Sequence, residues 1–177
     1  MNKLKWRTLT TEPCFWVMTS VTGRIDGLAV ANVDDFMVAI HEESPVGQKH
    51  FSDVKALYEW GEWESGSFTQ CGVQIVQHRH QNRWAGFSLS CAHYAESMVL
   101  LDLSSARRKQ RDDPVTAKEL AGLRGLLGQL MWLATQVVPQ LQAPLSLLLG
   151  YLGVATVATL LEANKLARRA LVWAQTP

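Results

Sequence analysis

The sequence predicts an α+β fold in which a small antiparallel sheet is followed by a helical bundle. Three observations carry this reading. Up to residue 90 the apolar runs are short, rich in β-branched and aromatic residues, and separated by turn formers. From residue 91 the chain changes character, and long apolar stretches broken by Pro139, Pro144 and Gly153 replace the short runs. Thr116 and Glu119 stand three residues apart at the head of one such stretch, the spacing of a capping box that satisfies the free amides of a helix start. The regions are drawn at 1–103 and 104–177.

Pro13 to Met18 and Gly27 to Val33 read as strands joined through Thr22-Gly23-Arg24, a hairpin. Phe36 to Ile40 follows directly, so Asp34 and Asp35 stand at the bend of a second hairpin. Ser44-Pro45 reads as an N-cap with proline at the first helical position. Phe51, Val54, Leu57 and Tyr58 then recur at helical spacing, giving a helix of about three turns that ends near Gly61. Phe68 to Val76 reads as one strand and Trp84 to Leu89 as its antiparallel partner. Ala92 to Leu103 reads as a short helix, and Ser104 to Pro114 as an exposed loop carrying Arg107, Arg108, Lys109 and Arg111. Three helices are expected near 116–136, 139–151 and 153–175.

With 177 residues, 47% of them apolar, the chain can form one substantial core or two small ones. Seventeen Lys and Arg against 16 Asp and Glu leave a net charge of +1, so no whole-molecule field points to nucleic acid or membrane, and any electrostatic function is local. Three cysteines at irregular spacing and no leader pattern predict an intracellular protein, cytoplasmic or nuclear.

The aspartate pair admits two readings. Adjacent carboxylates repel, and a divalent cation such as Mg²⁺ is one reason to keep them side by side, because it takes hard oxygen ligands. Ordinary turn chemistry is the other, since Asp tolerates turn backbone angles and bonds its own turn. Glu12 and Asp26 are the only acids upstream. Asp26, eight residues before Asp34, is roughly 26 Å away on an extended strand and out of reach of a shared ion.

Val33-Asp34-Asp35 within an apolar hairpin resembles the catalytic hairpin of reverse transcriptases, and the downstream segments resemble the polyprotein of copia-type retrotransposons. Leu120 to Gln136 is similar to that family's "lRg.lGsL.wlatqtrPdi" segment, and Glu162 to Ala170 to its "an.l.r..k" continuation. Phe68 to Ile75 is similar to the "F..cG..i" strand, and Tyr94 matches the tyrosine of the "Q..Y" element. The resemblance covers about residues 11 to 173 and is specific in the order of its motifs.

The resemblance implies the C-terminal palm and thumb part of an RNA-directed DNA polymerase, with 1–103 as a partial palm and primer-grip region and 104–177 as a helical thumb- or connection-like region. Asp34 would bind two Mg²⁺ ions and Asp35 would assist in phosphoryl transfer. The strand at 68–76 would position the primer end, and the helices after 116 would hold the duplex. The chain is expected to start after the fingers and the strand bearing the first catalytic aspartate, and to end before a ribonuclease H domain, which makes it inactive alone. The implied partners are a primer-template duplex of RNA and DNA and a polypeptide supplying the missing fingers and palm strand. Asn32 replaces the family's Tyr or His, Val138-Pro139-Gln140 its Arg-Pro-Asp, and Cys91 the glutamine of "Q..Y", departures that suit a degenerate copy. The alternative is a nucleic-acid-binding remnant without catalysis, or a helix-rich interaction or membrane protein.

Arg107, Arg108, Lys109 and Arg111, with Lys165, Arg168 and Arg169 on the last helix, are the phosphate-contacting candidates, solvated charge being the competing reading. Cys71, His78, His80, Cys91 and His93 could donate to zinc, but they lack the close ligand pairs of structural zinc sites. Leu145 to Leu161 is apolar over nearly the length of a membrane span, and the glutamines and prolines before it disfavour insertion. Trp60, Trp63, Trp84, Trp132 and Trp173 are expected in core or interface rather than stacked on bases.

Overall fold

The computed structural model describes residues 6–81 and 83–175, without the side chain of Trp84. The chain divides into two compact units, one ending at Glu64 and the other beginning at Ser65, so the expected change of region at 103/104 falls inside the second unit.

The first unit is an antiparallel meander of β1 (Arg7–Thr8), β2 (Phe15–Thr19), β3 (Ile25–Asn32) and β4 (Asp35–Ile40), in that spatial order. Helix α1 (Pro45–Lys55) follows, its start fixed by Ser44, whose Oγ accepts from the Gly47 amide at 3.0 Å. Trp6, Met18, Ala29 and Val54 form the core, joined by Trp16, Phe36, Val38, Ile40 and Trp60. Gly27 leaves room for this packing, because a Cβ there would lie 2.9 Å from Ile40 Cδ1 and 3.0 Å from Trp6 Cη2. Helix α1 stops short of Gly61 for a local reason. The Val54 carbonyl accepts from the Leu57 amide at 3.1 Å and from the Trp60 indole at 3.0 Å, which fills both of its lone pairs and leaves none for the Tyr58 amide that a longer helix would bring to it. Trp60 then stacks among Phe36, Tyr58 and Trp63 at centroid distances of 5.1, 5.4 and 5.3 Å.

The second unit opens with a three-stranded antiparallel sheet, β5 (Ser67–Gln70), β6 (Val73–His80) and β7 (Arg83–Ser90). The single strand expected at 68–76 is two strands, because Cys71 at φ 49° and Gly72 at φ 79° make the two-residue primed turn of a tight hairpin. Helices α2 (Ala92–Glu96), α3 (Ser105–Lys109), α4 (Ala117–Gln136), α5 (Gln142–Gly150) and α6 (Val157–Ala174) follow, with short 3-10 turns at Pro139–Leu141 and Leu152–Val154. Pro144 falls in the first turn of α5, where a missing amide costs nothing.

Leu123, Leu127, Leu130 and Leu133 of α4, spaced three and four apart, are fully buried with Leu141, Leu145 and Leu160. Helix α2 is shorter than the expected 92–103. The chain after it runs extended and is clamped by buried Asn164, which accepts from the Leu101 amide and donates to the Leu101 carbonyl, both at 2.8 Å. The expected loop at 104–114 contains α3, begun by Ser104, whose Oγ accepts from the Arg107 amide at 3.2 Å. The rest of that segment seals the start of α6, since the carbonyls of Asp113 and Arg111 accept from the Val157 and Ala158 amides at 3.0 and 2.9 Å. The apolar run Leu145 to Leu161 is thereby divided between α5, a 3-10 turn and the first turn of α6. No helix of the described residues is long and apolar enough to cross a membrane.

Candidate metal hairpin and basic surfaces

Asn32 pairs with Asp35 as the last rung of the β3–β4 hairpin, so the loop is the two residues Val33 and Asp34, and Asp35 begins β4. Val33 stands at φ 55° and is 93% exposed. A positive φ at the first loop position alone is the pattern of a turn that favours glycine there. A β-branched residue in that region is an outlier costing on the order of 1–3 kcal/mol, and this side chain has no packing to offset it. Asp34 and Asp35 are both exposed beside it. Val33→Gly should therefore raise the stability of the first unit by about 1 kcal/mol in urea denaturation, strain relief outweighing glycine's entropy. A loss of stability would show that the valine side chain contributes packing.

The upstream acids are engaged elsewhere. Asp26 is buried at the opposite end of β3, roughly 20 Å from Asn32 at 3.3 Å per residue. It accepts from Arg24 Nη2 at 3.1 Å and Nε at 3.2 Å. A Glu12 carboxylate oxygen accepts from the Cys14 amide at 3.2 Å. Among the described residues no three His, Cys, Asp or Glu side chains come together to hold a metal ion. The described residues thus do not complete a Mg²⁺ site, and Asp34 and Asp35 are exposed carboxylates on a strained turn.

The seven basic candidates fall into distinct settings. Arg107 grips Glu119 with both arms, Nε to Oε1 and Nη2 to Oε2, each at 2.9 Å. It also donates to the Pro114 carbonyl at 2.8 Å and to Gln110 at 3.2 Å, which commits its guanidinium to the start of α4. Arg108 Nε donates to the Leu103 carbonyl at 2.9 Å. Lys109 and Arg111 are exposed. On α6, Lys165 pairs with Glu162 at 2.7 Å, and Arg168 and Arg169 are exposed. The 111–113 segment meets the first turn of α6, whereas Lys165 to Arg169 lie roughly 10–17 Å further along its axis at 1.5 Å per residue.

The capping box expected at Thr116 is present: the Glu119 amide donates to Thr116 Oγ1 at 3.2 Å and the Thr116 amide to Glu119 Oε2 at 2.7 Å. The Arg107 bond first, and the Thr116 amide second, hold the Glu119 carboxyl down to about 2. A carboxylate depressed in the folded state contributes stability above its unfolded value, near 4.5, and loses it as pH falls toward 2. Glu119→Gln should accordingly be less stable than the parent at pH 7, and the two denaturation midpoints should converge between pH 4.5 and 2. A gap that persists unchanged at pH 2 would mean that the carboxylate's charge does not carry the effect.

The five zinc candidates are dispersed. Cys71 lies in the β5–β6 turn, and buried Cys91 donates its thiol to the Gly72 carbonyl at 3.8 Å, with burial pushing the thiol's pKa up. His78 Nε2 lies 2.6 Å from Ser88 Oγ. The register slips by one residue at His78/Arg79, where Ala85 is the extra residue on β7, and His78 and His80 are two apart on the unbulged strand β6. Of the tryptophans, Trp132 packs on Tyr94 with centroids 4.3 Å apart, Trp173 lies against the helical core, and the Trp84 side chain is outside the described residues. Sequence reading passed over Arg79 and Arg83, whose signal is compositional: residues 67–90 contain no Asp or Glu.

No protein-family model, no curated protein and no solved structure matches this chain.

Proposed function

We propose that the β3–β4 hairpin is the aspartate-bearing turn of a copia-type reverse transcriptase and that the chain is a palm and thumb part of such an RNA-directed DNA polymerase. The single observation that carries this reading is the strain at Val33. A hairpin selected only to turn would place Gly, Asn or Asp at the positive-φ position, and keeping an exposed valine there beside two carboxylates is what functional strain looks like. The order of motifs from Val33 through Tyr94 to Lys165 supports the same reading.

Asp34 and Asp35 would supply two of the carboxylates of a two-metal site, the third coming from outside the described residues. No catalytic step follows from these two alone. The chain by itself is therefore expected to bind a primer-template duplex without extending the primer. Anisotropy of a labelled RNA–DNA duplex, followed against salt, tests this together with a primer-extension assay in Mg²⁺. Binding that weakens steeply with salt, with no extension, fits the proposal. No binding at low salt would contradict the nucleic-acid half, and extension by the chain alone would contradict the incomplete site.

A further inference from the structure

We propose that the surface formed by α5 and the 3-10 turn at Leu152–Val154 is a docking site for a second copy of this chain, paired two-fold through Leu147, Tyr151 and Val154. The inference is independent of the polymerase reading.

Three observations converge. The first is charge. From Gly125 to Leu161 the chain carries no charged side chain, although 19% of its residues are charged. Leu147, Tyr151 and Val154 bring that run to the surface, 69%, 58% and 72% exposed and spaced four and three apart, as neighbours on one helical face are. Such a patch has nothing with which to neutralise phosphate. A helix lying in a lipid interface would carry Lys or Arg beside its apolar side chains, and α5 has none. In a two-fold contact a patch meets its own image, so a charge of either sign would face itself. A surface without charge is the kind that pairs with a copy.

The second is a pair of glycines between those side chains, Gly150 at the end of α5 and Gly153 in the turn. Neither has a positive φ, and a Cβ at either would meet no heavy atom of the chain within 4 Å. Glycine is less favourable than alanine in helical backbone, and neither conformation nor packing within the chain calls for it here. Close approach by another chain does.

The third is a hollow of about 400 Å³ next to the patch, lined by Asp112, Val115, Leu120, Leu152, Gly153 and Val154 among others. Apolar walls with one carboxylate suit a tyrosine, whose ring is buried while its hydroxyl donates to the acid. Tyr151 adjoins this hollow in the chain without lining it. A projection and a hollow side by side on one surface can fill each other reciprocally in a two-fold pair, each copy's Tyr151 entering the other's hollow beside Asp112.

The test is sedimentation velocity of the full chain over a concentration series. The weight-average mass should climb from one chain toward two, and Leu147→Glu with Val154→Glu should hold it at one, with circular dichroism and the thermal midpoint confirming the fold. Tyr151→Phe should weaken association by about tenfold or more, because a symmetric contact loses the bond to the carboxylate twice. Gly150→Ala with Gly153→Ala should raise the thermal midpoint of the dilute chain and weaken association, whereas glycines that matter only within the chain would leave association unchanged. A parent that stays single at every concentration, or a double-glutamate variant that associates as tightly as the parent, would overturn the proposal. A single-chain parent that sediments with phosphatidylcholine vesicles, when the double-glutamate variant does not, would assign the patch to a membrane instead.

Discussion

Leu127→Ala should lower the stability of the helical unit by about 2–5 kcal/mol, the range for removing a fully buried leucine from a packed core. Leu127 is 0% exposed, and its neighbours Leu123 and Leu130 on the same α4 stripe are equally closed. Such packing cannot collapse fully around a missing isobutyl group, so the lost transfer energy adds to the cavity. For a domain held by about 5–15 kcal/mol this is a large fraction of the whole. Followed by far-ultraviolet circular dichroism in urea, the midpoint should fall by roughly 1–3 M at an ordinary slope of about 1–3 kcal/mol/M. Leu147→Ala, on the exposed side of α5, should stay within about 0.5 kcal/mol of the parent. Equal losses at both positions would mean that the α4 stripe is not the centre of the unit's core.

Asn164→Leu should cost about 2–4 kcal/mol although it adds apolar volume to a buried site. Asn164 satisfies both backbone groups of Leu101, 63 residues away in the chain, with two bonds of 2.8 Å. Removing its amide strands a donor and an acceptor against the α6 surface, and each carries a desolvation penalty of about 1–3 kcal/mol. Hydrogen exchange gives an independent readout, because the Leu101 amide should lose its protection while the α4 amides around Leu127 keep theirs. A cost below about 0.5 kcal/mol with Leu101 still protected would show that other groups take over both bonds.

Leu101 also shows where local reading stops. Residues 92–103 carry a helix-compatible pattern, yet only Ala92–Glu96 are helical, because the competing order comes from an asparagine on α6 that no short window contains. The 104–114 segment was legible as exposed and basic. It was not legible as the structure that seals α6, since its carbonyls are drawn in by the Val157 and Ala158 amides from far along the chain. Elements whose cause lies within a few residues were legible: the Ser44-Pro45 helix start, the Thr116 capping box, and the second hairpin, although its loop is Val33-Asp34 rather than the expected Asp34-Asp35. The Cys71-Gly72 turn was missed because cysteine carries no turn signal, and Gly72 alone reads as an interruption within a strand. For the candidate site, sequence located Asp34 and Asp35 on a hairpin but could not give the φ of Val33. Nor could it tell that the Arg107 guanidinium is committed to Glu119, because a run of like charges looks the same whether solvated or paired.

The most direct measurement is primer extension by a fusion. The fingers and first palm strand of a related copia-type element, joined ahead of residue 1, would bring the carboxylate that no described residue brings to the hairpin. Each fusion would be assayed on an RNA template with Mg²⁺, alongside its Asp34→Asn version. Asn is an equally good turn residue, so the exchange should leave the hairpin folded and remove only a charge. The expected result is extension by the parent fusion and a loss of several orders of magnitude in the Asp34→Asn fusion, with duplex binding unchanged. Equal behaviour of the two fusions, active or inactive, would show that the aspartates serve the turn alone and contradict the assignment of this hairpin to polymerase chemistry.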